Sequence, residues 1–313
     1  MKQKVVVLGA AGFIGSHLVD KLIDLGHIVI GVDDFSSGNW KNLENAERSG
    51  NFVFFENNVS LELPDIDIAS HIYNLASLAS PKKYLKNPIH TLRTGARGTE
   101  NSLELARKLK ARHIFVSTSE IYGDPKVHPQ NEDYWGNVNP VGVRSCYDEA
   151  KRFGEALTMA YVRQYGLDAG IVRVFNTYGP RLDPDDGRVV SSMINQALSR
   201  IPQTIYGTGL QTRSFCYVSD LVDGLVRFGE STMIGPINLG NPRETTILEL
   251  SECISRITGV PYDVTYEDLP YDDPRQRKPD ILRAKELLGW TPRTTLEEGL
   301  EMTVSWYREM RKP

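Results

Sequence analysis

The sequence predicts an α/β protein with a doubly wound parallel sheet and a smaller, discontinuous C-terminal domain. Three observations support this class. Short β-branched runs alternate with helical patterns through the first half of the chain, a glycine-rich turn joins the first run to the first helix, and the alternation loosens after about residue 177. We predict that residues 1–177 plus about 219–240 form the sheet domain, and that residues 178–218 plus 241–313 form the second domain.

The glycine-rich turn and the strands beside it indicate a dinucleotide site. Residues 5–8 are apolar without alternation, as in a strand buried on both faces of a parallel sheet. The segment GAAGFIG at 9–15 follows at once and precedes a helical pattern at 16–23. Its three glycines let the turn be tight and let a diphosphate approach the amides at the helix N-terminus. The second strand, 28–32, ends at Asp33, whose carboxylate would accept from ribose hydroxyls and repel a 2′-phosphate. These features predict a Rossmann-like domain that binds NAD rather than NADP.

Further elements follow in chain order. We predict strands at 52–55, 72–77, 112–116 and 169–175, helices at 88–110, 245–257, 279–288 and 295–311, and a return to the sheet domain at 221–229 and 236–240. The fifth strand leads into Ser117, Thr118, Ser119 and Glu120. Ligands of open α/β sheets lie at the carboxyl ends of strands, so these side chains should face a site. Serine and threonine are also ordinary turn formers, whereas Glu120 has no such role there.

Two Tyr/Lys pairs in the chain have helical spacing. Tyr147 and Lys151 lie four residues apart in a segment without helix breakers, so both side chains share one helix face. A cation beside a phenol lowers the phenol pKa towards the range where it transfers protons at neutral pH. The other pair, Tyr122 and Lys126, has a glycine and a proline between its members, which excludes a continuous helix. The first pair therefore predicts acid/base chemistry on a hydroxyl or a carbonyl.

Composition favours a folded protein that binds a small molecule. The 313 residues are 40% hydrophobic and 24% charged, and the formal net charge is −4. This balance argues against nucleic-acid and membrane partners, whose usual signature is a basic surface. The three cysteines cannot all pair and lack metal-ligand spacing, and the first apolar run is too short for a signal peptide or an anchor. We therefore predict a cytoplasmic protein with no metal site.

Several stretches carry a resemblance to a known family. They are 117–125, 146–152, 175–181, 186–190 and 275–280. With the glycine turn and Asp33, they resemble the extended short-chain dehydrogenase/reductase superfamily that acts on nucleotide sugars. Within it, the chain is similar to the UDP-glucuronate decarboxylases, or UDP-xylose synthases, over nearly its whole length. One departure is Gly95, where the family generally carries asparagine behind the active site, so a relay through backbone and water is expected to differ there.

The resemblance implies NAD as cofactor, a UDP-sugar as substrate and a specific set of site residues. The implied catalytic residues are Tyr147, Lys151, Thr118, Ser119, Glu120 and Arg277. The implied cofactor contacts are Gly9, Gly12, Phe13, Ile14, Gly15, Asp33, Asn58, Val59, Leu75, Ala76, Tyr147 and Lys151. The implied substrate contacts are Asn176, Arg181, Val190, Tyr206, Arg213 and Arg277. Asn58 stands where the superfamily usually has an aspartate that meets the adenine amine, and its carbonyl oxygen can accept the same hydrogen bond.

The implied reaction oxidises the sugar at C4, releases the carboxylate from the resulting β-keto acid, and then returns the hydride to give UDP-xylose. Tyr147 would act as the base, and Arg277 would guide the carboxylate or the proton. Glu120 would position a water or the sugar ring. Two alternatives stay open: a UDP-sugar 4-epimerase, which keeps the carboxylate, and a nucleotide-sugar 4,6-dehydratase, which usually has Asp-Glu at Ser119-Glu120. A non-catalytic NAD-sensing module would have little reason to keep the Tyr/Lys pair.

The resemblance also implies a homodimer. Its interface would be a four-helix bundle formed by residues 88–110 and 148–165 of two chains. We expect Leu103, Leu105, Ala156 and Met159 to supply apolar surface for it.

Overall fold

A seven-stranded parallel sheet forms the centre of the computed structural model, which describes residues 2–269 and 276–312. The strands are β1 (Lys4–Leu8), β2 (Ile28–Asp33), β3 (Phe52–Glu56), β4 (His71–Asn74), β5 (Arg112–Thr118), β6 (Ala169–Val174), β7 (Thr177–Tyr178), β8 (Gln203–Tyr206), β9 (Thr212–Ser214), β10 (Cys216–Tyr217), β11 (Ile237–Leu239), β12 (Glu244–Thr246) and β13 (Val264–Glu267). The sheet order is β11-β6-β5-β4-β1-β2-β3, with every neighbouring pair parallel. The predicted α/β class and doubly wound sheet are confirmed.

Helices connect these strands. They are α1 (Phe13–Asp24), α2 (Glu44–Arg48), α3 (Pro81–Lys86), α4 (Pro88–Arg93), α5 (Thr99–Leu109), α6 (Ser145–Tyr165), α7 (Val189–Leu198), α8 (Val218–Glu230), α9 (Ile247–Thr258), α10 (Leu282–Leu288) and α11 (Leu296–Met310). Short 3₁₀ turns occupy Trp40–Leu43 and Ser119–Tyr122. None of the helices in the described ranges combines the length and apolar composition that a membrane span requires.

Successive strands are added on one side of β1 up to β3 and then, from β4 onwards, on its other side. From β1 the sheet grows through β2 to β3 on one side, and from β4 through β5 to β6 on the other. The carboxyl ends of β1 and β4 therefore flank the crevice where ligands bind in such sheets. Alternate residues of β1 pack into different hydrophobic clusters, since Val5 and Val7 join one and Val6 and Leu8 the other. Both faces of the strand are buried, which explains its uninterrupted apolar sequence.

The predicted helix at 88–110 is two helices joined by a widened π-type turn (Thr94–Gly98). Gly95 lies in this turn, against α6. A Cβ at Gly95 would lie 2.5 Å from the Cβ of Ala150, so the two segments approach more closely than any larger residue allows. The glycine therefore has a packing reason, and it sits directly behind the helix that carries Tyr147.

Two of the residues predicted for a dimer interface are buried inside the chain's own core. Leu103 is fully buried and Leu105 nearly so, because both lie on the face of α5 that packs against the sheet. Their assignment to an interface is wrong. Ala156 is exposed and Met159 is partly exposed.

The smaller sheets join the two stretches predicted to form the second domain. β12 pairs antiparallel with β9, and β13 pairs parallel with β8. Helix α7 packs on α9, and α11 packs on both. These contacts place residues from 189–214, 244–267 and 296–310 together, and several of them line the cavity at the carboxyl end of the main sheet.

Candidate active site

A cavity of about 900 Å³ opens at the carboxyl ends of the central strands. The glycine turn after β1, the end of β5, the start of α6 and the segment after β6 line it. The predicted catalytic residues on this cavity are Thr118, Ser119, Glu120, Tyr147, Lys151 and Arg277. The predicted cofactor residues on it are Gly9, Gly12, Phe13, Ile14, Gly15 and Leu75, and the predicted substrate residues are Asn176, Arg181, Val190, Tyr206 and Arg213. Arg275, part of one resembling stretch, lies outside the described residues.

The glycine turn leaves the N-terminus of α1 open towards the cavity. Gly9 has a φ of +84°, and a Cβ there would lie 2.9 Å from the backbone nitrogen of Ala76 on the neighbouring strand end. A Cβ at Gly15 would lie 1.9 Å from the Gly9 carbonyl oxygen, so only glycine permits the turn to fold onto the helix. Gly12 caps α1 without a side-chain hydrogen bond, and no acidic residue lies in its first turn. The helix therefore presents amides to an anion, which fits a dinucleotide diphosphate.

Asp33 closes the glycine turn from the end of β2. Its carboxylate accepts hydrogen bonds from the backbone N–H groups of Ala11 and Phe35, each at 2.9 Å. Burial raises the pKa of Asp33, and these two amides partly offset the rise. The residue also lines a smaller cavity, together with the predicted cofactor residues Val59 and Ala76. Asp33 thus stabilises the turn while facing the space predicted for the ribose.

Asn58 does not have the free carbonyl oxygen that the sequence analysis assigned to it. Its Oδ1 accepts from the backbone N–H and the hydroxyl of Ser60, and its Nδ2 donates to Asp34 at 2.7 Å. Of the neighbouring pair, Asn57 is the residue that lines the smaller cavity, and its buried Oδ1 has no hydrogen-bond partner among the described residues. Adjacent asparagines are indistinguishable by sequence pattern. The open acceptor on this cavity is therefore that of Asn57, whereas the Asn58 oxygen already accepts from Ser60.

Tyr147 lies near the start of α6, stacked in parallel on Tyr84 with ring centroids 5.2 Å apart. Burial raises the pKa of Tyr147 to about 12, although the Thr118 hydroxyl and the Arg188 guanidinium both lower it. The expectation of a lowered phenol pKa is wrong for this geometry, because desolvation outweighs the nearby positive charge. At neutral pH, Tyr147 is therefore a protonated phenol next to Thr118.

Lys151 lies one turn further along α6, on the same face as Tyr147. Its ammonium donates to the Val116 carbonyl at 2.8 Å and sits 5.2 Å from the centre of the Phe115 ring. Burial lowers the pKa of Lys151 to about 8, and Glu155 partly opposes this shift. The lysine therefore approaches the cavity at a defined position near the end of β5, as an ammonium at neutral pH.

Glu120 lies between two arginines from distant parts of the chain. Its Oε2 accepts from Arg144 at 2.5 Å, its Oε1 accepts from Arg277, and Arg277 also donates to the Gly123 carbonyl at 3.0 Å. Burial alone would raise the pKa of Glu120, but Arg277 and Arg144 lower it to about 2. Glu120 is therefore a fixed anion, and this pair of contacts fits the positioning role expected of it better than acid/base chemistry. Among the residues that the structure describes, the buried Nε of Arg277 has no hydrogen-bond partner.

Arg181 contacts the first helix of the sheet domain. It has a φ of +67°, and its guanidinium donates to Asp20 of α1 at 2.6 Å. No described residue forms a hydrogen bond with its buried Nη1. Arg181 thus lines the cavity beside the helix that begins at the glycine turn, whereas Arg213 and Tyr206 line it from the second set of elements.

Several residues that line the cavity were not predicted from the sequence, and three of them interact with Tyr147 or Glu120. Arg144 precedes Tyr147 by three positions, so helical spacing could have indicated it. Arg188 forms an ion pair with Asp186 at 3.1 Å and donates to the Ala79 carbonyl at 3.0 Å, and it lay within a resembling stretch. Tyr84 packs on Tyr147 from α3, which nothing local in the sequence indicates.

Known proteins share both the sequence and the structure of this chain. The sequence model of the NAD dependent epimerase/dehydratase family matches residues 5–240. UDP-glucuronic acid decarboxylase 1 of Xenopus tropicalis is 48% identical over 308 residues, which cover 98% of this chain and 73% of the relative.

Two solved structures are similar to it along almost the whole length. One is UDP-glucose 4-epimerase from Thermotoga maritima with UDP-glucose, with a TM-score of 0.91 and 33% identity, covering 99% of this chain and 100% of the other. The second is UDP-glucuronic acid 4-epimerase from Bacillus cereus in complex with UDP-glucuronic acid and NAD, with a TM-score of 0.88 and 29% identity, covering 98% of this chain and 99% of the other.

Proposed function

We propose that this chain, which belongs to the NAD dependent epimerase/dehydratase family and within it to the UDP-glucuronic acid decarboxylases, converts UDP-glucuronic acid to UDP-xylose and carbon dioxide. The observation that carries the proposal is the ion-paired Glu120 and Arg277 beside Tyr147 and Thr118 in one cavity. The first pair is suited to a carboxylate, and the second to a sugar hydroxyl that becomes a ketone.

NAD is the proposed cofactor. Bound NAD supplies reversible acceptance of a hydride at the sugar C4 carbon. The amides at the N-terminus of α1 are suited to its diphosphate, Asp33 to a ribose and Asn57 to the adenine amine. Lys151 would hold the second ribose. The bare carboxylate of Asp33 would repel a 2′-phosphate, which supports NAD over NADP.

Tyr147 and Thr118 handle the proton and the oxygen at C4. Burial holds the pKa of Tyr147 at about 12, so the phenolate that removes the hydroxyl proton is a minor form, which the positive charge of Arg188 stabilises. Lys151, one helical turn away, adds an ammonium on the same face. Once C4 is a ketone, both hydroxyl groups donate to its oxygen and stabilise the enolate that forms when the adjacent carboxylate leaves. A proton that reaches C5 from solvent then converts the enolate back into the C4 ketone, and Tyr147 returns its proton to the C4 oxygen as that ketone is reduced.

Arg277 and Glu120 distinguish decarboxylation from epimerisation. A planar guanidinium holds a carboxylate with directed N–H donors, and Glu120 fixes the orientation of that guanidinium. Holding the carboxylate out of the plane of the ketone favours loss of carbon dioxide before the sugar turns over in the site. The 48% identity to a decarboxylase, against 29% to a 4-epimerase of the same sugar acid, supports this choice.

Incubation with UDP-glucuronic acid in deuterated water tests the proposal. We expect a product lighter than the substrate by one carbon dioxide, with one deuterium at C5, in mass spectra. The enzyme should regenerate its cofactor, so reduced nicotinamide should not accumulate. A product that keeps its carboxylate with C4 inverted would make the chain an epimerase. Loss of water instead would indicate a dehydratase.

The second set of elements is the proposed UDP-binding domain, built from 178–218 and 241–313. Arg213 would contact the diphosphate, Tyr206 and Val190 the uracil, and Asn176 the sugar phosphate. The pairing of β8 with β13 and of β9 with β12 supports one unit, because each pair joins the two stretches. Loss of UDP binding in Arg213→Ala, measured by calorimetry with retention of NAD binding, would support this division.

A homodimer is also part of the proposal. The helices α4 and α6 expose Ile89 (60% exposed), Leu92 (40%) and Phe153 (48%). Such apolar side chains on the surface suit a helix-to-helix interface between two copies. Light scattering at micromolar concentration should give a dimer mass, and Phe153→Glu should give a monomer. The proposed compartment is the cytoplasm, supported by three cysteines that are all free, and cell fractionation would test it.

A further inference from the structure

A single buried amide joins the two chain segments that hold Glu120 and Arg277. Asn238 in β11 is fully buried, and its Oδ1 accepts from the Tyr122 hydroxyl at 2.9 Å. Its Nδ2 donates to two carbonyl oxygens, that of Gln130 at 3.0 Å and that of Asp280 at 3.1 Å. The Asn238 amide thus accepts a hydrogen bond from the segment that holds Glu120, and it donates hydrogen bonds to Gln130 and Asp280 on the side of Arg277.

The acceptor side leads to Glu120. Tyr122 is the last residue of the 3₁₀ turn Ser119–Tyr122, which carries Glu120. Arg173 of β6 donates to the same Tyr122 oxygen at 2.9 Å, so the hydroxyl is held from two strands of the main sheet. Gly123, the next residue, provides the carbonyl that accepts from Arg277. The end of this turn therefore holds the backbone of Glu120 in place and also positions the Gly123 carbonyl to which Arg277 donates.

The donor side leads to Arg277. The residue after it, Lys278, donates its backbone N–H to the side-chain oxygen of Gln130 at 2.8 Å, and the Gln130 N–H donates to the Lys278 carbonyl at 2.9 Å. Asp280 donates its N–H to the Gln130 carbonyl at 2.8 Å. Gln130 is itself fully buried. Three hydrogen bonds thus hold the chain immediately beyond Arg277, and Asn238 donates to one of the same acceptors, the Gln130 carbonyl, and also to the Asp280 carbonyl.

These contacts give Asn238 a function beyond filling the core. Glu120 and Arg277 lie 157 positions apart in the sequence. Glu120 reaches the cavity from a 3₁₀ turn, and Arg277 reaches it from a segment without regular secondary structure. Asn238 lies in a strand that pairs with β6 of the main sheet, which makes it a rigid reference for both. Displacement of a positioned group by about 1 Å costs on the order of a hundredfold in rate.

We propose that Asn238 is a positioning residue for the Glu120–Arg277 pair, acting through Tyr122 on one side and through the segment bound to Gln130 on the other. The inference rests on the proposed function, because the role of the pair in decarboxylation is part of it. Its consequence is specific: loss of the amide should impair the loss of carbon dioxide more than the oxidation at C4, which Tyr147 and Thr118 serve.

Two variants test this role, with a matched control. Asn238→Asp keeps the size but turns a donor towards two carbonyl oxygens into an acceptor, and Tyr122→Phe removes only a hydroxyl. Gln203→Glu is the control, because Gln203 is an equally buried amide that donates to Ser255 at 2.7 Å, within contacts that do not reach the pair. Holoenzyme of each variant is mixed with UDP-glucuronic acid in single-turnover experiments. The reduced nicotinamide absorbance reports C4 oxidation, and UDP-xylose by mass spectrometry reports decarboxylation.

In both test variants, we expect decarboxylation to fall by about tenfold or more while C4 oxidation changes by less than about threefold. Reduced nicotinamide should then accumulate, and Gln203→Glu should keep the wild-type ratio of the two rates. Tyr122→Phe is the more conservative change and should fold even if Asn238→Asp does not. A ratio of decarboxylation to C4 oxidation in Tyr122→Phe that equals the wild-type ratio would overturn the proposal. The wild-type protein distinguishes a failure of the proposed function from a failure of the positioning role, because wild type that forms no UDP-xylose would refute the proposed function itself. In that event, a crystal structure of Tyr122→Phe with the Glu120–Arg277 contact intact would refute the positioning role as well.

Discussion

Replacement of Glu120 by glutamine should destabilise the fold by about 3 kcal/mol at pH 7. Burial by itself would raise the pKa of this carboxyl, but Arg277 and Arg144 lower it from 4.5 to about 2. Each pKa unit corresponds to about 1.4 kcal/mol, so the folded protein stabilises the anion by roughly 3 kcal/mol. The side chain is only 17% exposed, so solvent screening is small. Breaking a buried pair from one side typically costs about 3 to 5 kcal/mol, which agrees with this value.

The sign of the pH dependence follows from the lowered pKa. The stabilisation is complete above the unfolded value of 4.5 and is lost as the pH falls through the folded value of about 2. The difference in unfolding free energy between wild type and Glu120→Gln should therefore shrink on acidification, by about 1 kcal/mol at pH 4. Urea unfolding followed by circular dichroism from pH 7 to about 4 measures it.

Glu244→Gln provides the control for this prediction. Glu244 also has a lowered pKa, and it pairs with Lys278, the neighbour of Arg277, at 3.2 Å. Both members of that pair are partly exposed, so its loss should cost less than about 1 kcal/mol. A Glu120→Gln effect as small as that of Glu244→Gln, or one that does not change with pH, would refute the argument that two arginines hold a buried anion.

Other variants test the cofactor turn and the proton-transfer residues. Tyr147→Phe keeps the parallel stack on Tyr84, so we expect its free energy of unfolding to lie within about 1 kcal/mol of the wild-type value. Its turnover should be lower by about a hundredfold or more, because the proton acceptor is lost. Near-normal UDP-xylose formation would contradict this. Gly15→Ala brings a Cβ to 1.9 Å from the Gly9 carbonyl oxygen, so NAD affinity by calorimetry should fall at least about tenfold, and unchanged affinity would be inconsistent with the turn as the diphosphate site. Burial lowers the pKa of Lys151 to about 8, so its ammonium is lost as the pH rises through 8 and turnover should decline there. In a pH profile, Lys151→Arg should lack that decline, because arginine does not titrate in this range.

Local sequence pattern was sufficient for the sheet and for the face shared by Tyr147 and Lys151. Buried parallel strands have continuous apolar sequences, and helical spacing brings two side chains together without reference to the rest of the fold. The break at Gly95 was missed, because a π-type turn shifts the backbone hydrogen bonds by only one residue and because the close approach to Ala150 is a tertiary contact. The dimer residue Leu103 was wrong for a related reason: an apolar helix position does not reveal which surface covers it.

Electrostatics were harder to predict than position. The Tyr/Lys spacing correctly indicated neighbouring side chains but not the degree of desolvation, which decides the sign of the Tyr147 pKa shift. The arginines around Glu120 come from a loop before α6 and from a segment 157 positions away, so no window of sequence contains the cluster. Asn58 and Asn57 illustrate the same limit at short range, since only the folded turn at Ser60 decides which carbonyl oxygen is free.

The same fold hosts different reactions, and the contacts of this site explain how. The structure superimposes on a 4-epimerase with a TM-score of 0.91, so the sheet and the cofactor turn do not determine the product. In the proposed reaction, Tyr147 and Thr118 serve the oxidation at C4. The proposed difference between the two reactions lies in the groups that hold C5 and its substituent, which here would be Arg277 and the Glu120 that pairs with it. If Asn238 positions this pair as we propose, the outcome of the reaction depends on a buried amide in a strand of the main sheet that does not itself contact the sugar.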